Sequence, residues 1–208
     1  MDAVEVEQFF TRTDGTYLFA RWGRPIAPVV FGVEPETIAL VKGALEALCV
    51  ACNHSMMETD PELGTNMMVF FSKTWDDFLD VPGLDGLIPE LHDLVGRLNA
   101  ADANQYRIFR FDEAGAIKAC FVMLRMDDHL SAVSADTLAL SQMVQSMVLW
   151  SDGAFREMSP LAVTEAGHTI LRPEVAALLR GAYDPVMPAM SQDPSHAMRL
   201  AARVGVLQ

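Results

Sequence analysis

Apolar residues recur with two different periods along the chain, and the switches between them divide it into elements. Residues 21–33, RWGRPIAPVVFGV, place β-branched and aromatic residues between Gly23, Pro25, Pro28 and Gly32. This predicts an extended segment, and its prolines put it at a sheet edge or make it irregular. EPETIALVKGALEALCVAC follows, with Pro35 suited to a first helical turn and Ile38, Val41, Leu45, Leu48, Cys49 and Cys52 spaced as in an amphipathic helix. After the turn-rich ETDPELGTN, the short apolar run NMMVFFS predicts a buried strand. Thr74 and Asp77 have the spacing of a capping box for a short helical piece at WDDFLD. LIPELHDLVGRLNAA predicts a second helix with Leu87, Leu91, Leu94, Val95 and Leu98 as its stripe. QYRIFRF and AIKACFVMLRM flank DEAG and predict an antiparallel hairpin, with Gly115 relieving the turn.

Ser134 offers its hydroxyl to the first turn of a helix over residues 134–149. Beyond Phe155 the pattern predicts a loop, a helix from near Pro173, the turn YDPVMPAMSQDP, and a last helix opened by Asp193 and Pro194. The order predicts an α+β fold: a mixed sheet of about four or five strands layered with helices, ending in a helical C-terminal third.

The helix at LALSQMVQSMVLWSDG needs a closer look. At the helical rotation per residue, Leu140, Met143, Val144, Met147 and Val148 gather on one side, which should face the sheet. Ser141, Gln142, Gln145 and Ser146 fall on the other, between Leu138 and Leu149. Such a polar face lines a groove or meets solvent, and periodicity leaves both open.

Composition narrows the function classes. The 208 residues, 51% hydrophobic and 21% charged, predict one domain spanning residues 1–208 with a substantial core. Acidic residues outnumber basic ones by 28 to 15, a net charge of −13, which repels a phosphate backbone and argues against a nucleic-acid partner. MDAVEVEQFFTRTDG carries four acids where a secretory leader would be basic and then apolar. The apolar runs IAPVVFGV and KACFVML stop well short of the roughly 20 residues a bilayer requires. A soluble, cytoplasmic protein without membrane contact is expected. Three cysteines, an odd number, point to reduced thiols. The thirteen methionines fill irregular core space or line an adaptable interface.

Two clusters carry residues capable of chemistry. CVACNH sets Cys49, Cys52 and His54 close together, but both cysteines continue a helical apolar stripe near its C-terminal end, where helix amides do not lower a thiol pKa. RMDDHLS groups Asp127, Asp128 and His129 after a strand, where alternation sends neighbours to opposite faces. The other histidines show no i, i+4 pairing, the serines lack a nucleophile-elbow setting, and no glycine-rich phosphate loop follows a strand.

In zinc peptidases of the zincin type a helix presents H-E-x-x-H, whose two imidazoles bind zinc while the glutamate activates water. Here Ser141, Gln142 and Gln145 stand at those positions. SQMVQSMVLWSD resembles the corresponding helix, E-E-L-x-Q-x-L-G-L and an N-D pair, of a bacterial family of unknown function whose members are often described as lipoproteins. It keeps Gln145, Leu149 and Asp152 and replaces the two acids with Ser141 and Gln142. Downstream, Tyr183, Asp184, Pro185 and Met190 are similar to the family's Y-D-P-R-L-x-x-G-M pattern, from which Val186 and Ala189 depart. RWGRPIAPVVFG and NMMVFFS match its first strands more loosely.

The resemblance implies a zincin-like scaffold and no established reaction. Amides and a hydroxyl bind zinc poorly, so neither a metal, nor a cofactor, nor a catalytic residue is assigned. The expected function is that of a pseudoenzyme: a non-catalytic protein holding a peptide, small ligand or protein partner, with Ser141, Gln142, Gln145, Asp152 and Tyr183 as candidate binding residues. A hydrolase with an unrecognised site and a structural subunit of an oligomer are the alternatives. The acidic N-terminus separates the chain from the lipoproteins, so no envelope role is carried over.

Overall fold

The computed structural model describes residues 1–206. Their elements run α1 (Ala3–Gln8), β1 (Phe19–Ala20), β2 (Pro28–Phe31), α2 (Pro35–Ala51), β3 (Met67–Ser72), a 3-10 turn (Asp76–Asp80), α3 (Leu84–Leu87), α4 (Leu91–Ala100), β4 (Gln105–Phe111), β5 (Ile117–Arg125), α5 (Asp128–Ser131), α6 (Ala135–Met147), β6 (Leu161–Val163), β7 (Thr169–Leu171), α7 (Pro173–Ala182), β8 (Met190–Ser191) and α8 (Ser195–Val206). The fold is α+β, built on a mixed four-stranded sheet ordered β2-β3-β5-β4. β2, β3 and β5 are parallel, and β4 closes one side as an antiparallel edge.

Residue pattern explains each layer. The β2–α2–β3 crossover places α2 on one face of the sheet, the usual consequence of joining parallel neighbours. Met67, Val69, Cys120, Val122 and Leu124 point into a core shared with α2, α6, α7 and α8. Their strand neighbours Phe70, Phe121 and Met123 point the other way, onto the 3-10 turn, α3 and α4. Helices therefore cover both faces, and β5 is buried along nearly its whole length.

Several expectations hold in detail. β2 is an edge strand with Pro28 as its first residue. Thr74 and Asp77 form the reciprocal capping pair: the Thr74 amide donates to Asp77 at 2.9 Å and the Asp77 amide to Thr74 Oγ1 at 3.3 Å. β4 and β5 form the hairpin, with a register shift at Arg110/Phe111 and Gly115 at a φ of 80°. Asp193 accepts the Ser195 amide ahead of α8 at 2.9 Å.

Others are corrected. The stretch from Leu87 breaks at Pro89 into α3 and α4, and Leu87 is exposed rather than part of the stripe. Ser134 caps no amide; its hydroxyl donates to Thr137 Oγ1 instead. The supposed loop after Phe155 contains the β6–β7 hairpin. The N-terminal acids build α1, where Asp2 and Glu5 form a capping box. Among the described residues no helix is long and apolar enough to cross a membrane.

Two positions show how tightly the layers are set. Gly32, at a φ of 82°, follows β2 where a Cβ would lie 2.0 Å from the Phe71 carbonyl oxygen. Gly32→Ala should lower stability by roughly 2–4 kcal/mol, read as a shift of the urea midpoint, because both the backbone conformation and the contact must yield. His196, fully buried on α8, stacks on Phe19 at 4.3 Å and meets the Tyr17 hydroxyl through Nδ1 at 2.7 Å. Burial, helped by the Arg199 charge, pulls its pKa down to about 4 from 6.5. Between those values the unfolded chain takes up a proton that the folded chain refuses, so stability should fall as pH drops through this window. Urea unfolding from pH 7 to pH 4 should show that loss, and His196→Gln should flatten it.

Candidate functional site

The C-terminal end of α6 is buried, so its free carbonyls need donors from outside the helix. Three aromatic side chains supply them. Trp150 Nε1 donates to the Val144 carbonyl at 3.1 Å, Trp22 Nε1 to Ser146 at 2.9 Å, and the Tyr183 hydroxyl to Met147 at 2.6 Å. The chain then leaves the helix extended: Val148 bridges Arg21, and the Leu149 amide donates to Ala20 at 2.8 Å. This anchoring fixes residues 149–152 beside the edge strand β4.

Between them lies a groove of about 510 Å³. Tyr106, Arg107 and Phe109 of β4 form one wall, Gln145, Leu149 and Trp150 the opposite one, and the turn at Arg12–Asp14 closes an end. Phe9, Phe10 and Phe155 pack around the Trp150 ring and hold that wall in place.

The β4 backbone is open along this groove. The Arg125 amide donates to the Asn104 carbonyl, which makes that pair a hydrogen-bonded one. In an antiparallel ladder such pairs alternate, so Gln105, Arg107 and Phe109 turn their N–H and C=O groups to the free edge. Among the described residues nothing else bonds to these groups.

The predicted residues separate here. Gln145 lines the groove, and its Nε2 donates to Ser141 Oγ at 3.1 Å, one turn back. Ser141 is half-buried beside it. Asp152 also lines the groove, but its Oδ1 accepts the Thr13 amide at 3.0 Å and it pairs with Arg156. Gln142 is not on an open face: it is buried, and its Oε1 accepts from Arg107 Nη2 while its Nε2 donates to Gln105 Oε1 at 3.0 Å. Ser146 is fully buried too, satisfied by the Gln142 carbonyl at 2.8 Å, whereas Leu140 is only half-buried. Tyr183 lies outside the groove, buried under the Arg21 guanidinium at 5.4 Å.

Arg107 is the group that sequence reasoning missed. No carboxylate lies within ion-pair distance of it among the described residues, and its Nε is buried without a partner. Burial pulls its pKa down to about 10, so it stays charged at neutral pH. A signal was present: in QYRIFRF, alternation puts Gln105, Arg107 and Phe109 on one face, and a cation on a core-facing side demands a partner.

Zinc does not fit these residues. Position 142 offers an amide already held by two neighbours, one of them a fixed cation that would repel a metal ion, and positions 141 and 145 bond to each other. Nor do the other clusters form a reactive site. Burial pushes the Cys49 and Cys52 thiols up to about 12, and His54 sits against the Arg24 carbonyl. Asp127 caps the Leu130 amide at 2.8 Å, while Asp128 and His129 are exposed. A larger hollow of about 670 Å³ beside α1 contains none of the predicted residues, and its side-chain cation, Arg156, is exposed.

Comparison with protein-family models, curated proteins and solved structures finds no match to this chain.

The two glutamines therefore have different roles. Gln142→Leu strips Arg107 of its acceptor in a part-buried setting and should cost about 1–3 kcal/mol of stability. Gln145→Ala, at the groove wall, should stay within about 0.5 kcal/mol of the unaltered protein. Parallel urea titrations of the two variants check this; equal losses would refute the assignment.

Proposed function

We propose that the chain is a non-catalytic binding protein on a degenerate zinc-metallopeptidase-like scaffold, whose groove holds an extended peptide segment of a partner. The observation that carries this reading is the unpaired edge of β4 directly above the groove. A strand added there would meet the outward groups of Gln105, Arg107 and Phe109, and main-chain pairing of this kind supplies affinity while flanking pockets supply selectivity. Phe109, Leu149 and Trp150 offer apolar surface for alternate side chains of such a segment, and Gln145 a polar contact. Tyr106, about a third exposed, extends the apolar wall toward solvent.

The resemblance to a zincin scaffold belongs to the same proposal, supported by the position of Gln145 on a helix bordering the groove. A cytoplasmic setting is supported by three buried cysteines, none of them in a disulfide. The net charge of −13 favours a protein partner over nucleic acid.

Selection of extended peptides from a displayed random library should yield binders that shift the amide resonances of Gln105, Arg107 and Phe109. N-methylating alternate residues of a selected peptide should abolish binding in one register and leave it nearly intact in the other, because only every second residue pairs with an edge strand. Gln145→Trp, which fills the groove, should block the same peptides. Binders that shift other surfaces, or indifference to N-methylation, would overturn the reading.

A further inference from the structure

The groove's charges are unevenly committed. At its turn end, Asp14 accepts the Thr16 amide at 2.8 Å and Asp152 the Thr13 amide at 3.0 Å, with Arg156 3.7 Å from the second. In its β4 wall stands Arg107, whose guanidinium among the described residues is held only by the neutral amide of Gln142. A guanidinium withdrawn from water and given one uncharged acceptor keeps most of its donor capacity unspent, and a carboxylate is the acceptor whose two oxygens match its fork. Among the described residues nothing bonds to Arg107 Nη1, and the residue lines the groove. Gln142 is itself fixed, because its amide nitrogen is tied to Gln105 across the β4–α6 contact. The guanidinium is thereby oriented through its Nη2.

We infer that the groove is a carboxylate-recognition site: the segment held along β4 presents an aspartate or glutamate side chain to Arg107, with Gln142 as the positioning residue. The inference rests on the peptide-binding reading for its ligand, though the anion site itself does not require strand pairing. Asp14 and Asp152 also line the groove with their carboxylates committed to backbone amides, so an acidic side chain finds its attraction at Arg107 and not at the turn. Arg12 also lines the groove and joins no ion pair among the described residues; it is exposed, so water already solvates its charge and it discriminates less.

The test uses the intact chain and two matched probes, N-acetylglutamate amide and N-acetylglutamine amide, at constant ionic strength, with the Arg107 Nε–H resonance as readout. The acid should shift that resonance saturably, and the amide should not. In the library-selected peptides, exchanging the acidic residue for its amide should weaken binding about ten-fold or more, the size expected for hydrogen bonds to a charged group. Arg107→Gln should erase the preference, and Arg107→Lys, which keeps the charge without the fork, should retain only part of it. The probe and peptide comparisons on the unaltered protein decide the matter even if both variants fold poorly. Peptides that bind the edge with no preference for an acid would overturn this inference and leave the peptide reading standing. A saturable response to N-acetylglutamate amide without any strand-like peptide binding would do the reverse. No saturable response at Arg107 to the acid overturns the inference outright.

Discussion

Everything that faces the groove depends on how the last turn of α6 ends. A buried helix terminus with unmet carbonyls costs on the order of a hydrogen bond for each orphan group, and the interior offers no water to meet them. Here the donors are two indoles and a phenol, drawn from positions 22, 150 and 183. Each brings a different part of the chain. Trp22 anchors the extended segment ahead of β2, Tyr183 the C-terminal cap of α7, and Trp150 folds back from the segment that α6 itself feeds. The three bonds thus join the N-terminal, central and C-terminal parts at one point, and of the three donors Trp150 extends from it into the groove wall.

Local pattern accounts for much of this architecture and fails where long-range pairing takes over. The helix α2, the strand β3, the β4–β5 hairpin and the span of α6 follow from periodicity, but the faces of α6 do not. The burial of Gln142 does not follow, since a glutamine on a helix reads as outward unless its partner is known, and that partner is 35 residues away on another element. Ser146 misleads for a different reason: its hydroxyl bonds back to the Gln142 carbonyl within the same helix, so it needs no water and enters the core at little cost. Tyr183 enters as a candidate only through its likeness to a Y-D-P pattern, yet its hydroxyl is committed to capping α6. Gln145 was legible as a groove residue. Arg107 and Trp150 were not, because they meet it only once β4 is placed at the sheet edge.

The pairing of Gln142 with Arg107 also depends on position 142 being an amide. A glutamate there would neutralise the guanidinium and compete with any ligand for it. The amide holds the same geometry while leaving the positive charge unspent. The choice between acid and amide at this one position thus decides whether Arg107 forms a self-neutralised pair or stays an available cation.

The net charge of −13 sets the terms on which that cation acts. At long range the protein repels anions, so an acidic segment gains nothing from steering. At contact the balance reverses, because the field of distant surface acids is screened within about 8 Å at physiological ionic strength, while a guanidinium in a part-buried groove is screened far less. Selectivity of this kind comes from the site and not from the surface around it. On the proposed reading it would disfavour polyanions, whose many charges meet the whole surface, and suit a single carboxylate on an otherwise neutral strand, which has to satisfy only one residue.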